Sequence, residues 1–404
     1  MRVAYLNTYG NGSTGKIVDD LKACCKENGI EAISIYSREF CRTPDTSIRF
    51  FSKIGFYYDA LMTRLFDRHG LSSYRNTKRI IKYLDSYNPD LVHIHNLHGY
   101  WINYKILFKW LSKKKKRVVF TLHDCWLFTG HCTHFDYIKC FEWKECCVHC
   151  KQKNEYPQSY FNNFVKRNYL SKKSNISLLD PNLVTVVTPS AWLNSLVRQS
   201  FLNRFNSVVI NNGVDLSIFH KYESDYRNKY NIGDKKIVLC VANYWNTRKG
   251  LEFVLSYSKS QPNLFFVVIG KVVDCYFDKN DYPNVLFIDR TDNQIELAKW
   301  YSEADVYLNT TLEDTYPTTN LEAIACGTPV VTFNTGGSPE IVLKTNYGCV
   351  IERNQEAIET GINNVLSSNT KNNFSKVDLS SLDSKPRFME YIVLYKKMFQ
   401  NNFD

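Results

Sequence analysis

Long hydrophobic runs are missing from this sequence. None approaches the ~18 consecutive apolar residues of a membrane-spanning helix. The first ten residues, MRVAYLNTYG, lack the apolar core of a signal peptide and are typical of a β-strand. Both absences predict a cytoplasmic protein. With 404 residues, of which 44% are hydrophobic and 23% charged, the chain suggests a soluble protein of two or three domains.

Acidic residues are scarce in the first half of the chain. Residues 1–200 carry 30 Lys and Arg against 16 Asp and Glu, a net charge of +14, whereas the remainder carries −3. An uneven charge distribution of this kind indicates which partners the protein binds and says nothing about its fold. Anionic membrane lipid, a diphosphate-linked acceptor and nucleic acid are all consistent with it.

The most informative stretch lies between residues 303 and 340. Ala304–Leu308 predicts a buried strand, Leu321–Cys326 a short helix ended by Gly327, and Val330–Phe333 a second strand. Such a unit indicates a parallel α/β sheet, in which ligands bind beyond the carboxyl ends of the strands.

The loop of this unit carries groups suited to a molecule with a diphosphate and sugar rings. Asp314 and Glu322 are separated by seven residues, and the helix start has three good capping residues, Thr318, Thr319 and Asn320. A helix N-terminus attracts phosphate, and a carboxylate accepts hydrogen bonds from vicinal hydroxyls. A capped loop without a ligand is an equally consistent interpretation.

The same stretch resembles the motif of the retaining glycosyltransferases of family four, in which a second acid precedes an Ala-x-Ala-x-Gly-x-Pro-Val-Val run. Glu322 matches that acid, and the run is matched at Ala323, Ala325, Gly327, Pro329, Val330 and Val331. The family's first acid is Asp314 here, one methylene shorter, with Glu313 beside it as the alternative. The resemblance implies that Glu322 holds the ribose and that Asp314 or Glu313 contacts the donor sugar.

This resemblance implies an α/β fold of two doubly wound Rossmann-like lobes (GT-B) with the active site in the cleft between them. We expect an acceptor-side lobe at 1–215 with a Cys-rich insertion at 130–152. A donor-binding lobe follows at 216–380, and a helix at 381–404 returns to the first lobe. The family reaction needs no divalent metal, and no Asp-x-Asp triplet occurs in the chain.

Further donor contacts follow from the resemblance. The family places an Arg and a Lys before a Gly to bind the diphosphate, and fixed cations stabilise a leaving diphosphate. Lys249 precedes Gly250 here, but Tyr244 holds the Arg position, so Arg248 is the candidate replacement. An exposed basic pair at a helix start is the alternative. The other expected donor-binding residues are Gly12, Arg290, Thr318, Thr319 and Asn320.

Gly10 to Lys16 has the spacing of a nucleotide-binding P-loop, but Ile17 stands where that motif requires Ser or Thr. A Gly-rich turn near the transferred sugar fits the glycosyltransferase interpretation better. In the family, a histidine that follows a strand orients this sugar, and His123 matches it. The run HDCWLFTGHCTHFD from His123 to Asp136 resembles enzymes that build O-antigen, capsule or exopolysaccharide repeats in bacteria.

Cysteines are concentrated between residues 132 and 150. Cys147 and Cys150 form a CxxC pair, and Cys132 and Cys140 supply two more thiols. Four thiolates in this spacing suit a structural, tetrahedral zinc ion. A cluster of reduced thiols in a loop is the alternative, since cytoplasmic cysteines seldom form disulfides.

Trp101–Leu111 predicts an aromatic-rich helix, followed by the basic run Lys113–Arg117. Basic residues beside aromatic ones suit an anionic membrane surface. The alternative is a helix packed on the sheet with a solvated basic end. We expect a peripheral protein on the inner face of the cell membrane.

The sequence therefore predicts transfer of a sugar, with retention, from a UDP- or GDP-sugar to a polyprenyl-diphosphate-linked saccharide. No nucleic-acid partner is expected. Two other classes stay open: a sugar-nucleotide epimerase on a similar fold, and a non-catalytic scaffold protein of the assembly complex.

Overall fold

A computed structural model describes residues 1–161, 164–273, 277–368 and 370–400. Within them the chain forms two compact units. The first is Met1–Ile210 together with the segment from Phe388 onward, and the second is Asn211–Arg387.

The first unit contains a seven-stranded parallel sheet of order β3-β2-β1-β4-β5-β6-β7. The strands are β1 (Arg2–Tyr9), β2 (Glu31–Arg38), β3 (Ser47–Arg49), β4 (Leu91–Ile94), β5 (Arg117–Thr121), β6 (Val184–Thr188) and β7 (Asn206–Val209). The helices are α1 (Gly12–Glu27), α2 (Lys53–Phe66), α3 (Tyr74–Tyr87), α4 (Tyr104–Lys113), α5 (Val165–Ile176) and α6 (Ala191–Gln199). The central strands are almost entirely buried because helices cover both faces of the sheet.

The second unit contains a six-stranded parallel sheet of order β10-β9-β8-β11-β12-β13. The strands are β8 (Lys236–Trp245), β9 (Leu264–Val272), β10 (Val285–Ile288), β11 (Val306–Asn309), β12 (Val330–Phe333) and β13 (Gly348–Ile351). The helices are α7 (Tyr226–Lys229), α8 (Leu251–Ser260), α9 (Gln294–Glu303), α10 (Thr318–Ala325), α11 (Ser338–Thr345) and α12 (Gln355–Ser367). A last helix, α13 (Ser384–Gln400), begins in the second unit and runs into the first.

The predicted α/β fold of two doubly wound units is confirmed. The strand order reverses between β1 and β4 in the first sheet and between β8 and β11 in the second. Loops that leave neighbouring strands at such a reversal open a crevice at the carboxyl edge, the usual ligand position in doubly wound sheets. The predicted cleft between the lobes stays a prediction.

The structure corrects the interpretation of residues 101–117. The aromatic side chains of this segment are buried in the core of the first unit, namely Trp101, Tyr104, Phe108 and Trp110. The exposed residues of the segment are lysines, namely Lys105 and Lys109 on the helix and Lys113–Lys115 at its basic end. The segment is therefore a sheet-packing helix with a solvated basic end, because its aromatic face is needed to cover the sheet.

Two further segments complete the fold. The turn Gly10–Asn11 separates β1 from α1, which begins at Gly12. The segment before α13 contains two 3₁₀ turns, Thr370–Lys376 and Leu379–Leu382. None of the helices in the described ranges is long and apolar enough to cross a bilayer.

Candidate active site

The loop after β8 is fastened to the loop after β11. Asn246 caps the 3₁₀ turn Thr247–Lys249 by accepting a hydrogen bond from the Lys249 amide. Gly250 follows with φ of +70°, and a Cβ there would lie 2.3 Å from the Thr310 carbonyl oxygen. Only glycine fits this close approach, which places the basic pair beside the acidic loop.

Side chains of opposite charge from the two loops also form an ion pair. The Lys249 ammonium lies 2.7 Å from an Asp314 carboxylate oxygen, and each side chain is about one-fifth exposed. Burial lowers the pKa of Lys249, and the charge of Asp314 opposes that shift. Arg248 donates to the main-chain carbonyl of Glu313 over 2.6 Å. The predicted residues Arg248, Lys249 and Asp314 therefore come together, whereas the residue Glu313 is completely buried.

α10 begins three residues earlier than predicted. Pro317 is its N-cap residue, so Thr318, Thr319 and Asn320 form the first turn instead of capping it. Thr318 and Thr319 are half-buried, and the amides of this turn are those that a helix leaves without an intrahelical partner. Asn320 is buried, accepts from the Asn309 amide over 2.7 Å and ties α10 to β11. Its side chain is structural in this arrangement.

Glu322 lies half-buried on the second turn of α10. The Tyr301 hydroxyl donates to its carboxylate over 3.0 Å. Tyr301 is fully buried, and burial together with the charge of Glu322 raises its pKa, so it stays a neutral donor. The sequence did not identify Tyr301 as a site residue, because an aromatic residue in a predicted helix is usually assigned to the hydrophobic core.

Two other predicted donor-binding residues lie at loop positions. Arg290 is exposed in the turn after β10. Gly12 is exposed, has φ of +74° and opens α1. Because α1 already includes Gly12 to Lys16, the segment does not form the loop of a P-loop before its helix.

A polar pocket lies at the carboxyl ends of β4 and β5 in the first unit. His95 Nδ1 lies 2.9 Å from His123 Nε2, and His98 Nε2 lies 2.7 Å from Asp124 Oδ2. The cavity these residues line is about 20 Å³, room for one water molecule and not for a sugar. The two hydrogen bonds of the pocket therefore hold the His123 and His98 rings in fixed orientations.

Burial and neighbouring groups set the charges in this pocket. Burial lowers the pKa of His123 to about 4, so its imidazole is neutral at pH 7. Burial alone would raise the pKa of Asp124, but the neighbouring His98 and a main-chain hydrogen bond lower it to about 2. His93, the other histidine of β4, is a core residue held by Tyr395 of α13 at 2.6 Å and by Thr121 at 2.8 Å.

The four predicted zinc ligands lie in one loop region of the first unit. Cys132, Cys147 and Cys150 are buried, Cys140 is half-buried, and all four are thiols instead of disulfides. Cys132 and Cys150 share a hydrogen bond. Among the described residues, however, no three His, Cys, Asp or Glu side chains are placed to hold one metal ion. The thiols as placed do not fit a zinc site, and zinc stays a prediction.

Comparisons with known proteins identify the family and the fold. The family model "Glycosyltransferase Family 4" matches residues 15–218, and "Glycosyl transferases group 1" matches residues 223–376. The chain is 22% identical to the putative colanic acid biosynthesis glycosyl transferase WcaC of Escherichia coli K12, over 83% of this chain and 82% of WcaC.

Two solved structures share the fold. Sucrose-phosphate synthase from Thermosynechococcus elongatus is 16% identical with a TM-score of 0.72, covering 99% of this chain and 100% of that one. Anabaena HepE in complex with UDP-glucose is 13% identical with a TM-score of 0.63, covering 98% and 100%. The Glycosyltransferase Family 4 model spans half of this chain, and the chain therefore belongs to glycosyltransferase family 4.

Proposed function

We propose that this glycosyltransferase transfers a sugar from a nucleotide-sugar, with retention, to a lipid-linked saccharide during surface-polysaccharide synthesis. The observation that carries the proposal is the cluster of Arg248, Lys249 and Asp314 beside the N-terminus of α10. The similarity to WcaC supports the pathway class, and the likeness to HepE, solved with UDP-glucose, supports a nucleotide-sugar donor.

In this proposal the diphosphate binds to the cations and to the helix start. Arg248 and Lys249 approach it from the loop after β8, and the amides of Thr318 and Thr319 approach it from α10. The first four residues of α10, TTNL, include no acid that would repel an anion. The diphosphate competes with Asp314 for the Lys249 ammonium, and the released Asp314 carboxylate binds a donor-sugar hydroxyl.

The ribose binds to Glu322. A carboxylate held by a buried tyrosine is a rigid acceptor for two vicinal hydroxyls, and Tyr301 supplies that support. Of the two acids considered for the donor sugar, we assign the contact to Asp314. The residue Glu313 is fully buried, whereas the side chain of Asp314 is partly exposed.

The chemistry requires no separate protein base. The acceptor hydroxyl attacks the anomeric carbon while the bond from that carbon to the diphosphate oxygen breaks. The departing phosphate oxygen takes the hydroxyl proton on the same face, which retains the configuration. Arg248 and Lys249 stabilise the charge that collects on the leaving diphosphate. The family resemblance assigns the orientation of the transferred sugar to His123, which is neutral at pH 7.

The test is transfer of label from UDP- and GDP-sugars to a polyprenyl-diphosphate-linked saccharide. We expect label to enter the organic phase with one nucleotide series only, and Lys249→Ala to abolish the transfer. Conversion of the donor without acceptor would indicate an epimerase instead. No turnover of any donor, with cellular function intact in Glu322→Ala, would indicate a scaffold protein.

A further inference from the structure

Helix α2 presents an apolar face to solvent, the reverse of an ordinary surface helix. Ile54 is 85% exposed, Tyr57 61%, Tyr58 54% and Leu61 51%. These positions follow the spacing i, i+3, i+4 and i+7, so all four side chains lie on one face. We call this set the apolar face of α2.

Two polar residues of α2 point inward instead. Asp59 and Thr63 are both completely buried. The Ser73 hydroxyl donates to the Asp59 carboxylate, and the Thr63 hydroxyl donates to the Asp59 carbonyl over 2.8 Å. The orientation of the helix is thus fixed by buried hydrogen bonds, which hold the apolar face outward.

Exposed aromatic residues extend this face at both ends of the helix. At its start, Phe51 packs on Phe56 with ring centroids 6.2 Å apart. At its end, the main-chain amide of the exposed Tyr160 donates to the Arg64 carbonyl over 2.8 Å. Phe66 contacts Phe164 at 6.4 Å, just before α5 begins. The apolar surface is therefore continuous from α2 to the start of α5.

Cations frame this surface. Lys53 and Arg64 lie on the exposed side of α2, and Lys166 and Arg167 on the exposed side of α5. Arg167 donates to the Phe66 carbonyl over 2.9 Å, which holds the two helices together. The only acid in the α2 sequence is the buried Asp59, and the α5 sequence contains no acid. We call these four residues the basic rim.

We propose that the apolar face of α2 and its basic rim dock onto an anionic lipid bilayer. Apolar and tyrosine side chains with flanking cations match the acyl boundary and the headgroup layer respectively. A second copy of this chain fits less well, because a two-fold contact would set the same cations against each other. The net charge of +14 on residues 1–200 favours an anionic partner.

The docking face lies one helix away from the histidine pocket of the first unit. On the inner side of α2, Phe56 packs against Tyr100 with ring centroids 5.4 Å apart. Tyr100 contacts Tyr156 at 6.2 Å, and the Tyr156 hydroxyl lies 3.1 Å from His98 Nδ1. A saccharide anchored in the bilayer by its lipid would thus approach the partly exposed His98, at the edge of this pocket, from the docked face. This role as acceptor delivery rests on the proposed function.

The test is cosedimentation of the full chain with phosphatidylcholine vesicles, with and without phosphatidylglycerol, in the absence of substrates. We expect wild type to bind only the vesicles that contain phosphatidylglycerol. Ile54→Ser with Tyr57→Ser and Leu61→Ser should lower binding at least roughly tenfold, because burial of apolar area drives insertion. Arg64→Glu with Lys166→Glu should lower it roughly tenfold and make it less sensitive to salt.

Matched controls come from elsewhere on the surface. Leu343→Ser removes a 72% exposed apolar residue from α11, and Lys109→Glu with Lys113→Glu reverses two exposed cations of α4. We expect both controls to bind as wild type does. Far-UV circular dichroism and melting temperature show whether each variant is folded.

Equal vesicle binding by wild type and the α2 triple variant would overturn the proposal, as would no vesicle binding by wild type. Loss of a dimer in the triple variant, without vesicle binding, would assign the face to a second copy instead. Transfer to a detergent-dispersed acceptor separates this inference from the proposed function, since it should survive the α2 and rim substitutions. Failure of transfer with vesicle binding intact would overturn the function alone.

Discussion

The ion pair between Lys249 and Asp314 controls the charge of the candidate donor site. Its two groups come from loops after different strands, and the spacing of 2.7 Å depends on the close approach of those loops. A diphosphate that enters this site meets a positioned ammonium and a guanidinium, so its affinity should depend on them much more than on other cations of the unit.

Lys249→Ala should weaken binding of the nucleoside diphosphate by about 10- to 100-fold, the usual range for one hydrogen bond to a charged group. Titration calorimetry measures the change. Lys271→Ala, which removes an exposed lysine of β9 in the same unit, is the control and should leave affinity unchanged. Equal affinities for wild type and Lys249→Ala would remove Lys249 from the site.

His123 should act as a neutral hydrogen-bonding group, because burial lowers its pKa to about 4. The dependence of kcat/KM on pH should therefore show no inflection from this residue near the ordinary histidine value of about 6.5. His123→Gln should lower the rate without changing the shape of the profile between pH 6 and 8. An acidic limb near the ordinary value that disappears in His123→Gln would contradict this assignment.

Motif residues could be predicted from the sequence, but their supporting partners could not. Glu322 and Lys249 stand at positions of the family motifs, so the resemblance identified them. Tyr301 orients Glu322 from another helix, and a buried tyrosine has no sequence pattern that separates it from a core residue. The burial of Glu313 beside the partly exposed Asp314 likewise depends on how the loop turns.

At the scale of elements, Gly250 holds the loop after β8 against β11. Gly250→Ala should destabilise the second unit by more than the roughly 1 kcal/mol that a left-handed conformation costs a residue with a Cβ. The added methyl would also clash with the Thr310 carbonyl. Urea unfolding measures the loss, and donor affinity should fall with it.

Gly233 is the matched control, since its φ is +63° but nothing lies within 4 Å of an added Cβ. Gly233→Ala should therefore show only the conformational cost. Equal losses for the two variants would mean that the loop adapts to the clash.

Helices α2 and α4 show the limit of periodicity as a predictor. A pattern of apolar residues shows which side chains share a face, but not whether that face meets the sheet or the solvent. The aromatic residues of α4 cover the sheet, whereas buried polar contacts at Asp59 turn the apolar face of α2 outward. The sequence indicated that the helix now seen as α4 binds the membrane. Its aromatic face is buried, and α2 is the proposed membrane-binding helix instead.

For the whole molecule, the first unit should lose stability on acidification. His69, His93 and His95 are buried and His123 is half-buried, and loss of hydration lowers the pKa of each. Below pH 6.5 the unfolded chain protonates these groups while the folded chain does not. Each group then lowers the free energy of unfolding by up to about 1.4 kcal/mol per pH unit until its folded pKa is reached.

One buried acid opposes this trend. Burial raises the pKa of Asp59 to about 7, so the folded chain keeps its proton where the unfolded chain releases it. Because the four histidines lower the free energy of unfolding and only Asp59 raises it, we predict a net loss of stability between pH 6.5 and 5. Urea midpoints followed by tryptophan fluorescence measure it, and midpoints independent of pH over this range would contradict the buried neutral state.

The two-unit α/β architecture could be predicted because the strand–helix–strand unit at 303–340 indicates a parallel sheet and the family resemblance implies two such lobes. Short or polar elements left no comparable signal in the sequence. β3 has three residues, and the two 3₁₀ turns before α13 consist mostly of polar residues. Their positions depend on packing against elements that are distant in sequence.

The central claim is that the second unit binds a nucleotide-sugar through Glu322 and Lys249. The most direct measurement is the thermal stability of wild type and Glu322→Ala with UDP-, GDP- and other nucleotide-sugars. We predict that one nucleotide series stabilises wild type by about 2.7 kcal/mol at a hundredfold excess over its Kd. Glu322→Ala should lose that stabilisation. No stabilisation by any donor, or equal stabilisation of the variant, would contradict the account.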